Sequence, residues 1–304
     1  LKSGAASALL LCAEARLKAG KTGDASSLYD KIFAAAVPEI LRQAAFRGKI
    51  LSAGRTDAQG LILKALAGKD EALKQPAIDL IPKAYEGAEV SAVLPHFGKL
   101  NETRQIQFVT ILAGFPKNIV LQTLRDAASN PSPAIRIAAL RAIEKAGDAS
   151  IVELLATRAA KAAGGEQAAA REALNRMRGS NIDAAIMSLL EKGAEDPARA
   201  ELITAIGERR ITAGKSVLMD IVRSGAPELR LRAIRALRVI ATPGDLRELA
   251  GLLFGLEDET AREEMEDTVA TVARTIPRVT ARADAVENLY GVEKNPQRRA
   301  DLLR

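Results

Sequence analysis

Two passages of the chain carry nearly the same order of apolar and charged residues. Residues 134–155 read "AIRIAALRAIEKAGDASIVELL", and residues 228–253 read "ELRLRAIRALRVIATPGDLRELAGLL". At about 100° per residue, the polar side chains of residues 134–146 fall on one half of a helical wheel and the apolar ones on the rest. Gly147 and Asp148 can then end this helix and cap the next one. The pattern predicts two helices joined by a tight turn.

The same apolar spacing recurs along most of the chain. Pairs of apolar residues three positions apart occur at Ile78/Ile81, Val109/Leu112, Leu140/Ile143, Leu174/Met177, Ile203/Ile206 and Ile234/Leu237. Their first members are separated by 31, 31, 34, 29 and 31 residues. A fixed period of this size is typical of solenoids, in which each hairpin buries its apolar face against its neighbours. The sequence therefore predicts an all-α fold, a right-handed α-solenoid of about nine stacked helical hairpins with a period of about 31 residues.

We expect a single repeat domain over residues 1–304, as part of a longer protein. Its units start near residues 4, 38, 71, 102, 133, 166, 197, 227 and 258, and a truncated unit starts at residue 296. A helix tolerates proline in its first turn, and prolines lie near the predicted helix starts at Pro38, Pro116, Pro133, Pro197, Pro227 and Pro296. Pro76, Pro82 and Pro95 fall inside predicted units, so we expect kinks or shortened helices between about 70 and 97.

The composition is typical of thin layers of closely packed helices. Hydrophobic residues make up 48% of the chain, but aromatic residues make up only 3% and Trp is absent. The net charge of +6 permits attraction to acidic partners without requiring nucleic acid. The single cysteine, Cys12, lies in the apolar run "ALLLCAEA", and we expect it to be buried. No apolar stretch is long enough for a membrane span.

The order Arg-x-Ala-Ala-Leu-x-Ala-Ile, followed by Gly-Asp and a second apolar helix, resembles the HEAT-repeat family, especially its short bacterial form. "IRIAALRAIEKAGDASIVELL" carries the resemblance best, then "LRLRAIRALRVIATPGDLREL" and, more loosely, "REALNRMRGSNIDAAIMSLL". The first three units match least. The resemblance implies a concave surface formed by the second helices of the hairpins, including those near Leu63, Leu121, Leu189, Leu218 and Leu249. HEAT-like metal hydroxylases hold iron with several His-Glu pairs, and this chain has one histidine.

We predict a non-catalytic protein–protein interaction scaffold that binds a partner or peptide along this concave surface, with no cofactor and no metal ion. The alternative is a nucleic-acid-binding solenoid similar to the HEAT-like alkylpurine DNA glycosylases, which use a basic concave groove with aromatic residues and a carboxylate. A HEAT-like chromophore lyase or chaperone is a third possibility that no residue here favours. The charge of the concave face distinguishes the first two functions, because a nucleic-acid groove is strongly positive.

Six arginines form the candidate interaction surface: Arg209, Arg210, Arg230, Arg232, Arg235 and Arg238. The last four occupy one half of a helical wheel, so a row of cations could follow a phosphate backbone. The resemblance instead places the first helix of each hairpin on the outer, convex side. Arg136, Arg199 and Arg230 share one repeat position, and we expect that position to pair with acids of the next unit.

Three further features have both a functional and a structural interpretation. Gly20-Lys21-Thr22 and Gly214-Lys215-Ser216 approach a phosphate-binding loop, but both lack its earlier glycine and follow helices, which favours inter-helix turns. His96 is expected at a helix end. The acidic run Glu257, Asp258, Glu259, Glu263, Glu264, Glu266 and Asp267 could attract cations or a basic partner, but acids at a helix start also stabilise the helix.

Overall fold

In the computed structural model, every regular element of the described residues is a helix, which confirms the all-α prediction. The structure describes residues 3–179, 181–193 and 195–278, together with Arg282 and Pro296. These residues form sixteen α-helices and five 3-10 helices, and the chain divides into two compact units, Leu1–Ala146 and Gly147–Arg304. Apart from Pro296, the truncated unit predicted from residue 296 lies outside the described residues.

The N-terminal unit contains eight α-helices, five of them first helices and three of them second helices. Its first helices are α1 (Ser3–Lys18), α3 (Glu39–Ser52), α5 (Glu71–Ala84), α6 (Glu102–Leu112) and α8 (Pro133–Ala146), and its second helices are α2 (Thr22–Ala34), α4 (Arg55–Ala67) and α7 (Lys117–Ala127). Each first helix contacts the next first helix along the chain. Because neighbouring hairpins share these contacts, buried apolar residues occur along the whole unit.

The C-terminal unit follows the same plan. Its first helices are α10 (Gly164–Arg176), α12 (Asp196–Glu208), α14 (Pro227–Ile240) and α16 (Glu259–Arg274), and its second helices are α9 (Val152–Lys161), α11 (Ile182–Glu191), α13 (Lys215–Ser224) and α15 (Leu246–Gly255). Each second helix packs against the first helix that follows it, and α12, α14 and α16 contact one another in order. None of the helices in the described part of the chain is long and apolar enough to cross a membrane.

The nine first helices begin within two residues of the predicted unit starts. Proline marks several of these starts: Pro133 and Pro227 are the first residues of α8 and α14, and Pro197 is the second residue of α12. Pro38 and Pro116 immediately precede α3 and α7. Proline has no backbone N–H, and its absence costs nothing at these positions because the first N–H groups of a helix have no partner within the helix.

The third hairpin is irregular in the region where Pro76, Pro82 and Pro95 predicted kinks or shortened helices. Pro76 and Pro82 both lie inside α5, which keeps its full length. The second helix is replaced by two 3-10 helices, Gly87–Ala92 and Leu94–Lys99, with Pro95 in the first turn of the latter. The expected shortening is therefore found after α5 and not within it.

The prediction that Cys12 is buried is wrong, because the cysteine is exposed on α1. Leu11 beside it is also exposed, with 67% of its surface accessible. The helix contacts α2 and α3 and buries Ala6 and Ala13, whereas Leu11 and Cys12 lie on its exposed side. An apolar run without a clear period does not tell which of its residues face inward.

The α2–α3 contact depends on a glycine. Tyr29 of α2 is 2% exposed and its ring lies over Gly48 of α3, where a Cβ atom would overlap the ring carbons. Ala25, Ile32 and Ala45 complete this cluster. Glycine at position 48 therefore sets how closely the two helices approach.

We expect Gly48→Ala to lower the free energy of unfolding by about 1–3 kcal/mol, because the added methyl group forces Tyr29 out of its place. Gly60→Ala is the matched control: Gly60 also lies within a helix, α4, but no atom lies within 4 Å of its Cβ position. The control should stabilise the chain by about 0.5–1 kcal/mol, since alanine is the better helix former. Urea denaturation followed by circular dichroism measures both. Equal effects of the two substitutions would contradict the contact.

Candidate interaction surface

The predicted arginine row lies on a basic helix between two acidic helices. Helix α14 carries four arginines and one glutamate, a net charge of +3. Helix α12 carries three acids and one arginine, a net charge of −2, and α16 carries five acids and two arginines, a net charge of −3. Because α14 contacts both neighbours, its cations face acids from two sides.

On the α16 side, one carboxylate binds two arginines. Arg235 Nη2 lies 2.6 Å from Glu264 Oε1, and Arg238 Nη2 lies 2.5 Å from Glu264 Oε2. Arg238 Nε also donates to Thr268 Oγ1 at 3.2 Å. The hydrogen bond from Arg235, together with that from Arg238, lowers the pKa of Glu264 although burial opposes the shift. Both carboxylate oxygens are thus engaged in holding α14 to α16.

On the α12 side, Glu201 has the corresponding role. Its carboxylate is almost fully buried and accepts hydrogen bonds from Arg171 of α10 through Nε at 2.8 Å and Nη2 at 2.6 Å. Arg232 Nη1 lies 3.8 Å from the same carboxylate and donates to Thr204 Oγ1 at 3.1 Å. A buried carboxylate needs such partners, because an unpaired buried charge is strongly destabilising. Glu201 therefore connects three successive first helices.

Arg209 joins two successive inter-helix turns. Its side chain is 11% exposed, and Nη1 donates to the carbonyl oxygens of Leu174 at 3.1 Å and Met177 at 2.9 Å. Its guanidinium also pairs with Asp183 at 2.8 Å. Because the carbonyls at a helix C-terminus lack partners within the helix, a cation there satisfies them. Arg209 thus completes the end of α10.

Arg230 has a similar structural role. Its Nε donates to the carbonyl oxygen of Val222 at 3.1 Å, and its Nη2 donates to that of Gly225 at 3.2 Å. The expectation that this repeat position pairs with acids of the next unit is wrong for Arg230, because the side chain points back to the end of α13. The remaining arginine, Arg210, is exposed and makes no side-chain hydrogen bond or ion pair within the described residues.

Ion pairs between successive first helices also occur in the N-terminal unit. Arg42 of α3 pairs with Asp70 at the start of α5, and Arg47 Nη1 lies 2.9 Å from Asp79 Oδ2. Arg104 of α6 pairs with Glu71. Arginines of the first helices therefore bind acids about one repeat away in both units.

The second helices of the C-terminal unit, which we call the second-helix face, are electrically balanced. Helices α9, α11, α13 and α15 together carry five acidic and five basic residues. Some of the charges pair across repeats, as in Lys215 with Asp245 at 2.8 Å and Arg223 with Glu248 at 2.5 Å. Leu218 and Leu249 of these helices are buried, whereas Leu189 is half-buried. The face does not have the positive charge that a nucleic-acid groove needs.

A cleft of about 600 Å³ opens beside α15 on this face. Apolar side chains of Val222, Leu252 and Leu256 line it together with the charged side chains of Arg223, Arg230, Glu248 and Glu257. The exposed glycines Gly251 and Gly255 lie one helical turn apart along its side. No atom lies within 4 Å of the Cβ position of either glycine. The cleft can therefore accept side chains of another molecule without rearrangement of α15.

Two other cavities lie outside the second-helix face. A groove of about 550 Å³ runs between α12 and α14, where Gly207 lies so close to Ala236 that a Cβ at position 207 would be 3.0 Å from the Ala236 Cα. Paired charges, including Glu201 and Arg232, line it. A cleft of about 480 Å³ in the N-terminal unit is lined by residues that include Phe115.

The remaining candidate residues lie in structural positions. Gly20 and Lys21 lie in the turn between α1 and α2, as predicted, whereas Gly214 ends the 3-10 helix Thr212–Gly214 and Lys215 and Ser216 begin α13. His96 is half-buried in the 3-10 helix Leu94–Lys99, and burial, with Lys99 and Lys74 nearby, lowers its pKa. No group of three or more His, Cys, Asp or Glu side chains in the described ranges is placed to hold a metal ion.

The residues of the acidic run have different roles: one caps a helix, one forms ion pairs and others are exposed. Asp258 Oδ1 accepts a hydrogen bond from the Ala261 N–H at 2.8 Å and so caps α16. Glu264 pairs with α14, whereas Glu259, Glu263 and Asp267 are exposed on one face. The expected stabilisation of a helix start is confirmed for Asp258.

No family model and no curated protein matches this chain. The resemblance to HEAT repeats stays a prediction from the residues quoted above.

Sequence reasoning found the arginines but missed the acids that bind them. Glu201 lies 30 residues after Arg171, and Glu264 lies 29 residues after Arg235. This separation is close to the repeat period, so the signal was present in the sequence. To use this separation as a signal, one must know that equivalent faces of successive first helices touch.

We expect Glu264→Gln to lower the free energy of unfolding by about 1–2 kcal/mol at neutral pH, because three charge-assisted hydrogen bonds from Arg235 and Arg238 are weakened. The control is Glu263→Gln, an exposed neighbour without an ion pair among the described residues, which should change stability little. The folded-state pKa of Glu264 is lowered from 4.5, so its contribution is present above that pH and disappears as the pH falls through the lower folded value. Urea denaturation at several pH values measures this. A difference between Glu264→Gln and the unmodified chain that does not shrink below pH 4.5 would contradict the assignment.

Proposed function

We propose that both units are built from HEAT-like repeats of a right-handed α-solenoid and that the protein is a non-catalytic scaffold for protein–protein interaction. The support for the repeats is the regular start of the first helices and the contact of each first helix with the next inside a unit. Such arrays present extended surfaces to partners.

The observation that carries the binding function is the charge of the second-helix face. Five acids and five bases leave this face with no net charge, while five of the six candidate arginines, all except Arg210, are engaged within the chain. A balanced polar surface around a cleft with both apolar and charged walls has the character of a protein interface, where a few buried side chains supply most of the affinity. The cleft beside Gly251 is our candidate for the place where such a side chain inserts.

The alternative function, nucleic-acid binding, has less support. It requires several cations free to contact successive phosphates. Arg232, Arg235 and Arg238 contact glutamates instead, and freeing them would leave Glu264 without its two arginines and Glu201 with Arg171 alone.

We expect Gly251→Arg to abolish partner binding, because the long side chain fills the cleft. Gly60→Arg is the matched control, since it places the same side chain on an exposed helical glycine of α4 away from the cleft. Neither glycine has an atom within 4 Å of its Cβ position, so both variants should fold. The unmodified chain and both variants are immobilised, and captured proteins are quantified by mass spectrometry. At least one partner should fall about tenfold or more with Gly251→Arg only, which corresponds to about 1.4 kcal/mol.

The same preparations are titrated with a fluorescent DNA duplex of about 20 base pairs at low and moderate salt. We expect no saturable binding. Binding that weakens steeply with added salt, or partners that bind both variants equally, would contradict the scaffold proposal.

A further inference from the structure

Arg210 differs from the other five arginines of the candidate surface. The others donate to carboxylates or to backbone carbonyls, whereas the exposed side chain of Arg210 has no such partner in the described part of the chain. Its charge is therefore available to another molecule.

The backbone of Arg210 is strained. Its φ angle is +56°, in the left-handed region that only glycine occupies without cost. The turn is set by hydrogen bonds from the Arg210 N–H to the Gly207 carbonyl at 3.0 Å and from the Ile211 N–H to the Ile206 carbonyl at 2.9 Å. The same turn ends α1, and there Gly20 takes the left-handed position with φ of +74°. Arginine at position 210 thus costs stability that glycine would recover.

A second free arginine lies on the neighbouring turn. Arg209 donates to the Met177 carbonyl at 2.9 Å, which holds the end of α12 against the end of α10. The residues that directly follow these two, Arg210 and Arg178, are both exposed and unpaired among the described residues. Two acids lie near these turns. Asp183 is bound by Arg209, whereas Glu208 is exposed and unpaired among the described residues.

We propose that Arg178 and Arg210 form a docking edge for an acidic segment of the protein partner. Guanidinium groups bind carboxylates through paired N–H donors, so two of them on adjacent turns suit two nearby Asp or Glu side chains. A nucleic-acid backbone fits less well, because the free cations do not continue along α14. This proposal rests on the proposed scaffold function and adds a second contact away from the cleft at Gly251.

The test uses the full chain and a fluorescein-labelled peptide of about ten glutamates, with binding followed by anisotropy at low salt. Arg210→Ala removes the guanidinium group but keeps the backbone strain. Arg210→Gly removes both the guanidinium group and the strain. We expect the affinity to fall about threefold to fivefold in each variant, the range that one exposed ion pair supplies. Only Arg210→Gly should raise the denaturation midpoint. Arg178→Ala should weaken binding to a similar extent.

Arg274→Ala is the matched control, because Arg274 is an exposed arginine in the last turn of α16. It should leave the affinity for the peptide unchanged. The proposal is overturned if Arg210→Ala binds as the unmodified chain does, or if Arg274→Ala loses as much affinity. It is also overturned, in favour of nucleic acid, if a DNA duplex of equal charge binds more tightly in an Arg210-dependent way. None of these results alters the Gly251→Arg comparison, so failure of this edge and failure of the scaffold function are distinguishable.

Discussion

The pairing of arginines with acids one repeat away is the interaction on which the C-terminal unit most depends. Helices that stack with thin aliphatic side chains leave polar groups close to the contact, and these groups must find partners. Glu201 receives arginines from both sides, and Glu264 receives two from α14. The basic character of α14 is explained by its acidic neighbours, and no external anion is needed to account for it.

This pairing also determines which parts of the surface remain available for binding. Charges engaged between first helices contribute little to an encounter with another molecule, so the proposed binding function places recognition on the second-helix face and on the turns. The cleft beside Gly251 and the edge at Arg178 and Arg210 are places where the chain leaves space or charge unused. Their different chemistry, apolar and charged in one case and cationic in the other, would suit a partner that contacts the proposed scaffold at more than one point.

The helices could be predicted from the sequence because each depends on local signals. Apolar spacing and prolines such as Pro133 and Pro227 placed helix starts to within two residues. Contacts between successive first helices could not be predicted in the same way. The partner of Arg235 lies 29 residues further on, and only the packing of α14 on α16 brings it near. The error at Cys12 has a related cause, because the apolar run around it does not show which residues face α2 and α3.

The alternation of net charge along α12, α14 and α16 makes these repeats non-interchangeable. If the segment from α13 to α14 were deleted in evolution, two acidic helices would meet, and Glu201 and Glu264 would repel each other across the new contact. A duplication of α14 would likewise bring two arginine rows together. Gain or loss of a single hairpin at this place is therefore opposed by like-charge repulsion.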